Sequence, residues 1–234
     1  MNIKPVIGIL PTSNYMLTDD TFQDTYRFGN NYINKIIENG GIPLLIPYSN
    51  DNVIKDVLDM CDGLILPGGD RVLNSNLEVV KYFYDNKKPI FGICLGMQTL
   101  GMFSINLYED DKRVLSLIEN GTDHWPTNVY RDTNETLAHF VNVEKDSIMY
   151  EIFDNDRIEV NSLHKSCITE VGKNFKVSIK SDDGIIEGIE YTGKDRFIIG
   201  VQFHPEILPQ FNKIFERFIE ECAKISTKWY LFLL

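Results

Sequence analysis

The chain has 234 residues, 43% of them hydrophobic and 24% charged, with a formal net charge of -11. That length can fill one large core, so a single domain over 1–234 is expected, with a core over 1–228 and an apolar tail over 229–234. The acidic balance argues against nucleic acid or an anionic membrane surface as partner, and no run approaches the ~18 apolar residues of a membrane-spanning helix.

The first half alternates strand and helix patterns. Pro5–Leu10 reads as a strand. Tyr26–Asn39 carries Tyr32, Ile33, Ile36 and Ile37 at helical spacing and stops at Gly40-Gly41. Ile42–Pro47 is the next strand, and Val53, Ile54, Val57 and Leu58 mark a second helix. Gly63–Leu66 is a third strand running into Pro67-Gly68-Gly69-Asp70, followed by a helix over Leu77–Asp85. Ile90–Ile93 is a fourth strand, and Met97–Phe103 a fourth helix.

The second half changes character. Ala138–Glu144, Arg157–Asn161, Phe175–Lys180, Ile185–Tyr191 and Phe197–Phe203 read as strands, with a hairpin turn at Asp182-Asp183-Gly184. A closing helix presents Ile207, Leu208, Phe211, Ile214, Phe215, Phe218 and Ile219 on one face. This order predicts a three-layer α/β fold: an open, mostly parallel sheet with helices on both faces and an antiparallel extension in the second half. The tail Trp229–Leu234 is suited to packing on the body or entering an interface between two copies, as in a homodimer.

Cys61, Cys94, Cys167 and Cys222 are widely spaced and form no Cys-x-x-Cys pair, which argues against a structural zinc site. The opening Met1–Pro5 runs into a strand rather than a long apolar segment, so reduced thiols and a cytoplasmic location are expected.

Chemistry concentrates around Cys94. It sits between Gly92 and Gly96 where a strand turns into a helix, the geometry of a nucleophile elbow. A cysteine there would be exposed at a helix N-terminus, whose dipole favours thiolate; the plain alternative is a buried, inert thiol. The backbone N–H of Leu95 can point at a developing oxyanion, with a second N–H from Gly68 or Gly69. His204 follows the apolar strand at its C-terminal end, the functional edge of such a sheet, and Glu206 lies two residues on. The pair suits a base and the acid that orients it, or a cap on the last helix. His164 could line a pocket or bond within its loop. His124 and His139 read as structural or peripheral, and no metal site is expected, because the histidines show no converging ligands at short spacing.

Four segments agree in order and spacing: Leu66–Asp70, the elbow at Cys94, Val160–His164 and Gly200–Glu206. With these, the chain resembles the class I glutamine amidotransferase-like superfamily. Within it, the chain is most similar to the gamma-glutamyl hydrolases, in particular the gamma-glutamyl-gamma-aminobutyrate hydrolase branch. The resemblance spans nearly the whole sequence, including the Tyr32 helix leading to Gly40–Pro43 and the run Ile186–Glu190.

The resemblance implies a flavodoxin-like fold, a Cys94–His204–Glu206 triad, and an oxyanion hole from Gly68-Gly69 and Leu95. Gln98 matches a position that helps hold the glutamyl group, and His164, Lys165 and Ser166 match a substrate-lining loop. The implied activity is hydrolysis of a gamma-glutamyl amide through a thioester, with no metal or organic cofactor. The implied alternatives are a glutaminase component feeding ammonia to a separate synthetase, and a non-catalytic binding or regulatory protein on the same fold.

The chain departs from the hydrolase branch in four places. Leu95 stands where arginine is usual, and His164-Lys165-Ser166 replaces His-His-Gln. The glycine loop is one residue shorter, and the long segment after Asp70 is nearly absent. Lys165 adds a positive charge that would favour an acidic or phosphorylated substrate.

Overall fold

The apolar strands marked by the sequence form the centre of one nine-stranded sheet in the computed structural model. The structure describes residues 4–12, 27–49, 52–53, 55–107, 114–118, 124–125 and 137–232, with the side chains of 48, 49, 52 and 53 and those beyond Ser226 outside that description. The first half runs β1 (Val6–Ile9), α1 (Asn30–Glu38), β2 (Ile42–Leu45), β3 (Tyr48–Ser49), β4 (Asn52–Val53), α2 (Lys55–Asp59), β5 (Gly63–Leu66), α3 (Asn74–Asp85), β6 (Ile90–Ile93) and α4 (Leu95–Asn106). The second half runs β7 (Leu115–Leu117), β8 (His139–Val143), α5 (Ile148–Phe153), β9 (Arg157–Val160), β10 (Ser166–Ile168), β11 (Phe175–Ser181), β12 (Ile186–Tyr191), β13 (Ile198–Val201) and α6 (Asn212–Phe232).

The sheet order is β2-β1-β5-β6-β13-β12-β11-β8-β9. The first five strands are mutually parallel, and each pairing from β13 outward to β9 is antiparallel. Numbered among themselves, the parallel strands stand in the order 2-1-3-4-5 of flavodoxin-like sheets.

Alternation along the strands divides the core between two faces. Ile7, Ile9, Ile65, Phe91, Ile199 and Val201 meet Tyr32 and Ile36 of α1 and Ile214, Phe215 and Phe218 of α6. Leu64, Leu66, Ile90 and Ile198 meet Leu58, Val79, Phe83, Met97 and Leu100 from α2, α3 and α4. Strands buried on both faces read as continuous apolar runs, which is why these were visible in the sequence.

Several boundaries move for local reasons. The helix expected from Tyr26 begins at Asn30, after an extended Gly29, while Arg27 pairs with Thr12; Tyr26 itself lies outside the described residues. The last helix starts at Asn212 rather than Ile207. Pro209 lacks an N–H and holds the preceding Leu208 extended (φ -117°, ψ 113°), so two short 3-10 turns, Pro205–Ile207 and Pro209–Phe211, precede the helix. α6 then carries its helical backbone to Phe232, while the tail's side chains fall outside the described residues.

Three features were not anticipated, the first being the β3–β4 ribbon, in which Val53, expected in the second helix, pairs with Tyr48 while the helix begins at Lys55. Helix α5 is started by the Ser147 hydroxyl, which accepts a hydrogen bond from the Tyr150 N–H. Strands β7 and β10 form a separate antiparallel ribbon over the sheet's C-terminal edge. No helix among the described residues is long and apolar enough to cross a membrane.

A tight backbone approach lies where β6 turns into α4. A Cβ on Gly96 would sit 2.1 Å from the Leu66 carbonyl oxygen, a backbone atom that cannot swing aside. Gly96→Ala is therefore expected to cost at least ~1–3 kcal/mol, read as a lowered urea unfolding midpoint; an unchanged midpoint would contradict this packing.

Candidate active site

The strand–helix corner places Cys94 in a conformation side-chain-bearing residues rarely adopt, φ 54° and ψ -108°. Its N–H donates to the Val201 carbonyl at 2.8 Å, tying the corner to β13, the strand that delivers His204. Leu95 is the first residue of α4, so its N–H has no acceptor within the helix.

His204 and Glu206 meet directly. His204 Nδ1 lies 2.7 Å from Glu206 Oε1, while His204 Nε2 is buried without a hydrogen-bond partner. Burial alone would lower the imidazole pKa. The Glu206 carboxylate and the facing Cys94 outweigh it and hold His204 well above its ordinary value. Asn161 fixes the His204 backbone from both sides: its amide Nδ2 donates to the His204 carbonyl at 3.0 Å, and its Oδ1 accepts from the His204 N–H at 2.9 Å.

Gly68 packs against the same centre. A Cβ there would lie 3.0 Å from His204 Cε1 and 3.6 Å from Cys94 Cβ, so glycine lets the loop, the imidazole and the thiol come together. The Gly68 N–H donates to the Tyr32 hydroxyl at 3.1 Å. That hydroxyl is buried beside Glu206 and Cys94, and burial followed by the Glu206 charge raises its pKa well above 10.

Tyr32 and Asn161 are site residues that sequence reasoning missed. Tyr32 entered only as a core position of α1, and its hydroxyl was the unread signal. Asn161 is the asparagine of the Val160–His164 segment, whose partners are 43 positions away.

Tyr32, Gly68, Cys94, Leu95 and His204 line a cavity of about 510 Å³ whose wall also includes Gly69, Asp70, Gln98, Leu117, Trp125, Leu163, His164, Lys165 and Ser166. Every candidate site residue except Glu206 thus reaches its wall, and Glu206 stands behind His204. The Gln98 side-chain amide donates to the Ser166 carbonyl at 2.9 Å and to Gln202 Oε1 at 3.0 Å, fixing α4 to the 164–166 loop. Lys165 is exposed and sets its ammonium 4.3 Å from the centre of the Trp125 ring.

The other histidines correct the expectation made for them. Of the two readings given for His124 and His139, structural or peripheral, the peripheral one falls, and ligand-type atoms do converge. His124, His139 and His164 each bring a ring nitrogen within 3.2–3.3 Å of one oxygen of Glu187, which is fully buried. Their positions, 124, 139 and 164, are too far apart in sequence for spacing to reveal this. Only the loop at 124–125, strand β8 and the turn after β9 bring them to β12.

A cysteine elbow after β6 with a His-x-Glu pair after the adjacent β13, on a 2-1-3-4-5 sheet, defines the class I glutamine amidotransferase-like fold and site. The chain belongs to the Peptidase C26 family, whose profile matches residues 5–76 and 73–206. It is 31% identical to a glutamine amidotransferase-like protein of Rickettsia prowazekii, over 89% of this chain and 93% of that one. It is 29% identical to protein NtpR of Enterococcus hirae, over 93% and 99%. A CTP synthase of Methanosphaera stadtmanae matches at 29% identity over 70% of this chain but 35% of its own length.

Among solved structures, a Thermoplasma acidophilum protein described as one of the subunits of GMP synthase superposes with a TM-score of 0.67 at 21% identity, over 98% of this chain and 100% of that one. The glutaminase domain of Trypanosoma brucei CTPS with bound acivicin gives 0.68 at 18%, over 94% of each. These two likenesses concern the fold.

Cys94 lines the cavity, whereas burial raises the thiol pKa of Cys61 to about 11, of Cys222 well above 9, and of Cys167 above its ordinary value. Brief iodoacetamide treatment at neutral pH should therefore modify Cys94 first, as read by peptide mass mapping. Faster labelling of any other cysteine would contradict the assignment.

Proposed function

We propose that the protein cleaves a γ-glutamyl amide, with Cys94 as nucleophile, His204 as general base and acid, and Glu206 as the group that orients His204. The observation that carries this reading is the strained Cys94 facing an imidazole whose other nitrogen is held at 2.7 Å by a carboxylate. The Cys94 sulfur attacks the γ-carbonyl carbon and its proton passes to His204 Nε2. The C–N bond breaks as His204 returns that proton to the leaving amine. Water, deprotonated by His204, then splits the glutamyl thioester and releases glutamate.

The Leu95 N–H supports the oxyanion from the start of α4. Gly69 is the better choice for the second donor, because Tyr32 already takes the Gly68 N–H. Gln98, His164, Lys165 and Ser166 border the substrate, with Lys165 on the leaving-group side as the attraction for an acidic amine. None of these steps calls for a metal or organic cofactor.

A second reading has its own support. Relatives and structural neighbours include CTP synthases, the Thermoplasma protein described as part of GMP synthase, and a CTPS glutaminase domain. Glutamine is itself a γ-glutamyl amide, so the same chemistry would release ammonia for a separate synthetase.

A panel of γ-glutamyl amides, including glutamine and conjugates of acidic amines, tests these readings. Hydrolysis of conjugates by the protein alone supports the hydrolase. Glutamine turnover that rises only with an added synthetase supports the second reading. Lys165→Gln should lose selectivity for acidic amines; retained selectivity would rule out that role.

Cys94→Ala should lower kcat/KM by roughly 10⁴-fold or more and abolish the glutamyl adduct seen by intact-protein mass spectrometry. Glu206→Gln removes a charge that holds the His204 pKa up, so the alkaline limb of the pH–rate profile should move to lower pH. Unchanged turnover in Cys94→Ala would refute the mechanism.

A further inference from the structure

We propose that His124, His139, His164 and Glu187 form a binding site for one divalent transition-metal ion, zinc by ligand chemistry, that braces the wall of the cavity. The site is separate from Cys94, His204 and Glu206, and it does not depend on the reaction assigned to them.

Proton placement decides what these atoms need. His124 Nε2 lies 3.0 Å from Asp183 Oδ2, and His164 Nδ1 lies 3.1 Å from the Ser166 carbonyl oxygen. A carboxylate and a carbonyl only accept, so each of these nitrogens carries the ring proton. The opposite nitrogen of a neutral ring is then a bare lone pair. His124 Nδ1 and His164 Nε2 therefore face each other at 3.2 Å as two acceptors. Each is also 3.2 Å from a third acceptor, Glu187 Oε1, and His139 Nε2 is 3.3 Å from the same oxygen. Such a set, buried around a carboxylate that is 0% exposed, needs a cation at its centre.

The spacing is compatible with a metal. Zinc–nitrogen and zinc–oxygen bonds of about 2.0–2.2 Å at tetrahedral angles set neighbouring ligand atoms roughly 3.3–3.5 Å apart. The pairs among His124, His164 and Glu187 fall at 3.2 Å and His139 Nε2 lies 3.3 Å from Glu187 Oε1, while the donor atoms of His124, His139 and Glu187 span up to 4.8 Å, so His139 has to move inward to complete a four-ligand set. A shared proton would instead draw one pair into a short, aligned bond. His204 and Glu206 do this in the same molecule at 2.7 Å, whereas neither oxygen of Glu187 makes an aligned hydrogen bond.

The contacts behind the rings match what metal-bound histidines use. Asp183 and the Ser166 carbonyl fix ring orientation and tautomer, the usual outer support of such ligands. Imidazole with one carboxylate suits zinc, and four protein ligands make a closed, structural site.

Its place explains a use. Ser162 Oγ and the His164 N–H both donate to the His124 carbonyl at 2.9 Å, so the ligand-bearing segments are also tied through the backbone. Trp125, Lys165 and Ser166, each next to or one residue from a ligand, line the cavity. Metal at Glu187 would anchor these surface segments to β8 and β12 and hold that wall.

The test uses untagged full-length Cys94→Ser protein, so that the cavity-lining thiol contributes no binding. After chelator treatment, titration with Zn²⁺ should give about one ion per chain, and Co²⁺ should give intense tetrahedral visible bands. Glu187→Gln should lose stoichiometric binding. Asp183→Asn takes the negative charge out of an outer contact at a half-exposed position, and should keep the fold while weakening zinc affinity about 10–100-fold. The proposal is overturned if unsubstituted ligands bind less than about a tenth of an equivalent, if Asp183→Asn binds as tightly as its parent, or if Co²⁺ gives only weak octahedral bands. The first result leaves a proton to hold the cluster; the other two place the bound ion outside this ligand set. Should Glu187→Gln fail to fold, the cobalt spectrum and Asp183→Asn still decide.

Discussion

The site depends on how closely two backbones approach where β6 becomes α4. Gly96 lies against the Leu66 carbonyl so tightly that a single added carbon would overlap it, and Gly92 packs against Gly96 in turn. That contact pulls the start of α4 over the end of β5 and leaves Cys94 at the apex with positive φ. Because the Cys94 N–H is also bound to Val201, the same corner sets the thiol against β13. The glycine loop after β5, the cysteine after β6 and the histidine after β13 are then held at one edge of three adjacent parallel strands. The strain at the cysteine persists because the surrounding packing over-determines it.

Two histidine–carboxylate arrangements sit on either side of the cavity, and their geometry differs with their surroundings. His204 has one acid, one short bond and one nitrogen left toward the thiol, so charge can be exchanged with a substrate. The Glu187 cluster has three rings around one buried oxygen, with two of the rings anchored on their far sides. Its parts are immobilised, which suits bracing rather than proton transfer. Gln98 links the two regions, since its amide bonds both Ser166 and Gln202, and the Gln202 N–H donates to the Glu187 carbonyl.

How much of this was legible follows from the range of each signal. The strands buried on both faces announced themselves as apolar runs, and the elbow as two glycines flanking a cysteine. The ribbon β7–β10 was not legible, because Leu115–Leu117 is mostly exposed and short. Helix α5 escaped because six residues give too few turns for a period, although Ser147 was an available cap signal. The start of α6 was misplaced since the apolar spacing of Ile207, Leu208 and Phe211 persists through turns that Pro209 prevents from becoming helix. Tyr32 looked like a core residue and is one, with only its hydroxyl entering the site.

Local physics was enough for the order of strands and helices, the elbow and the pairing of His204 with Glu206, because each rests on residues within a few positions of one another. The sequence pattern also placed these groups at one sheet edge, since strand ends in a parallel sheet share a side. Whatever needs two distant segments at atomic distance came only with the folded chain. Asn161 clasping His204, Tyr32 occupying the Gly68 N–H, and three histidines closing on Glu187 are all of that kind. Spacing along the chain carries no information about them, because each joins segments far apart in sequence whose meeting is set by packing of the whole fold rather than by any local repeat.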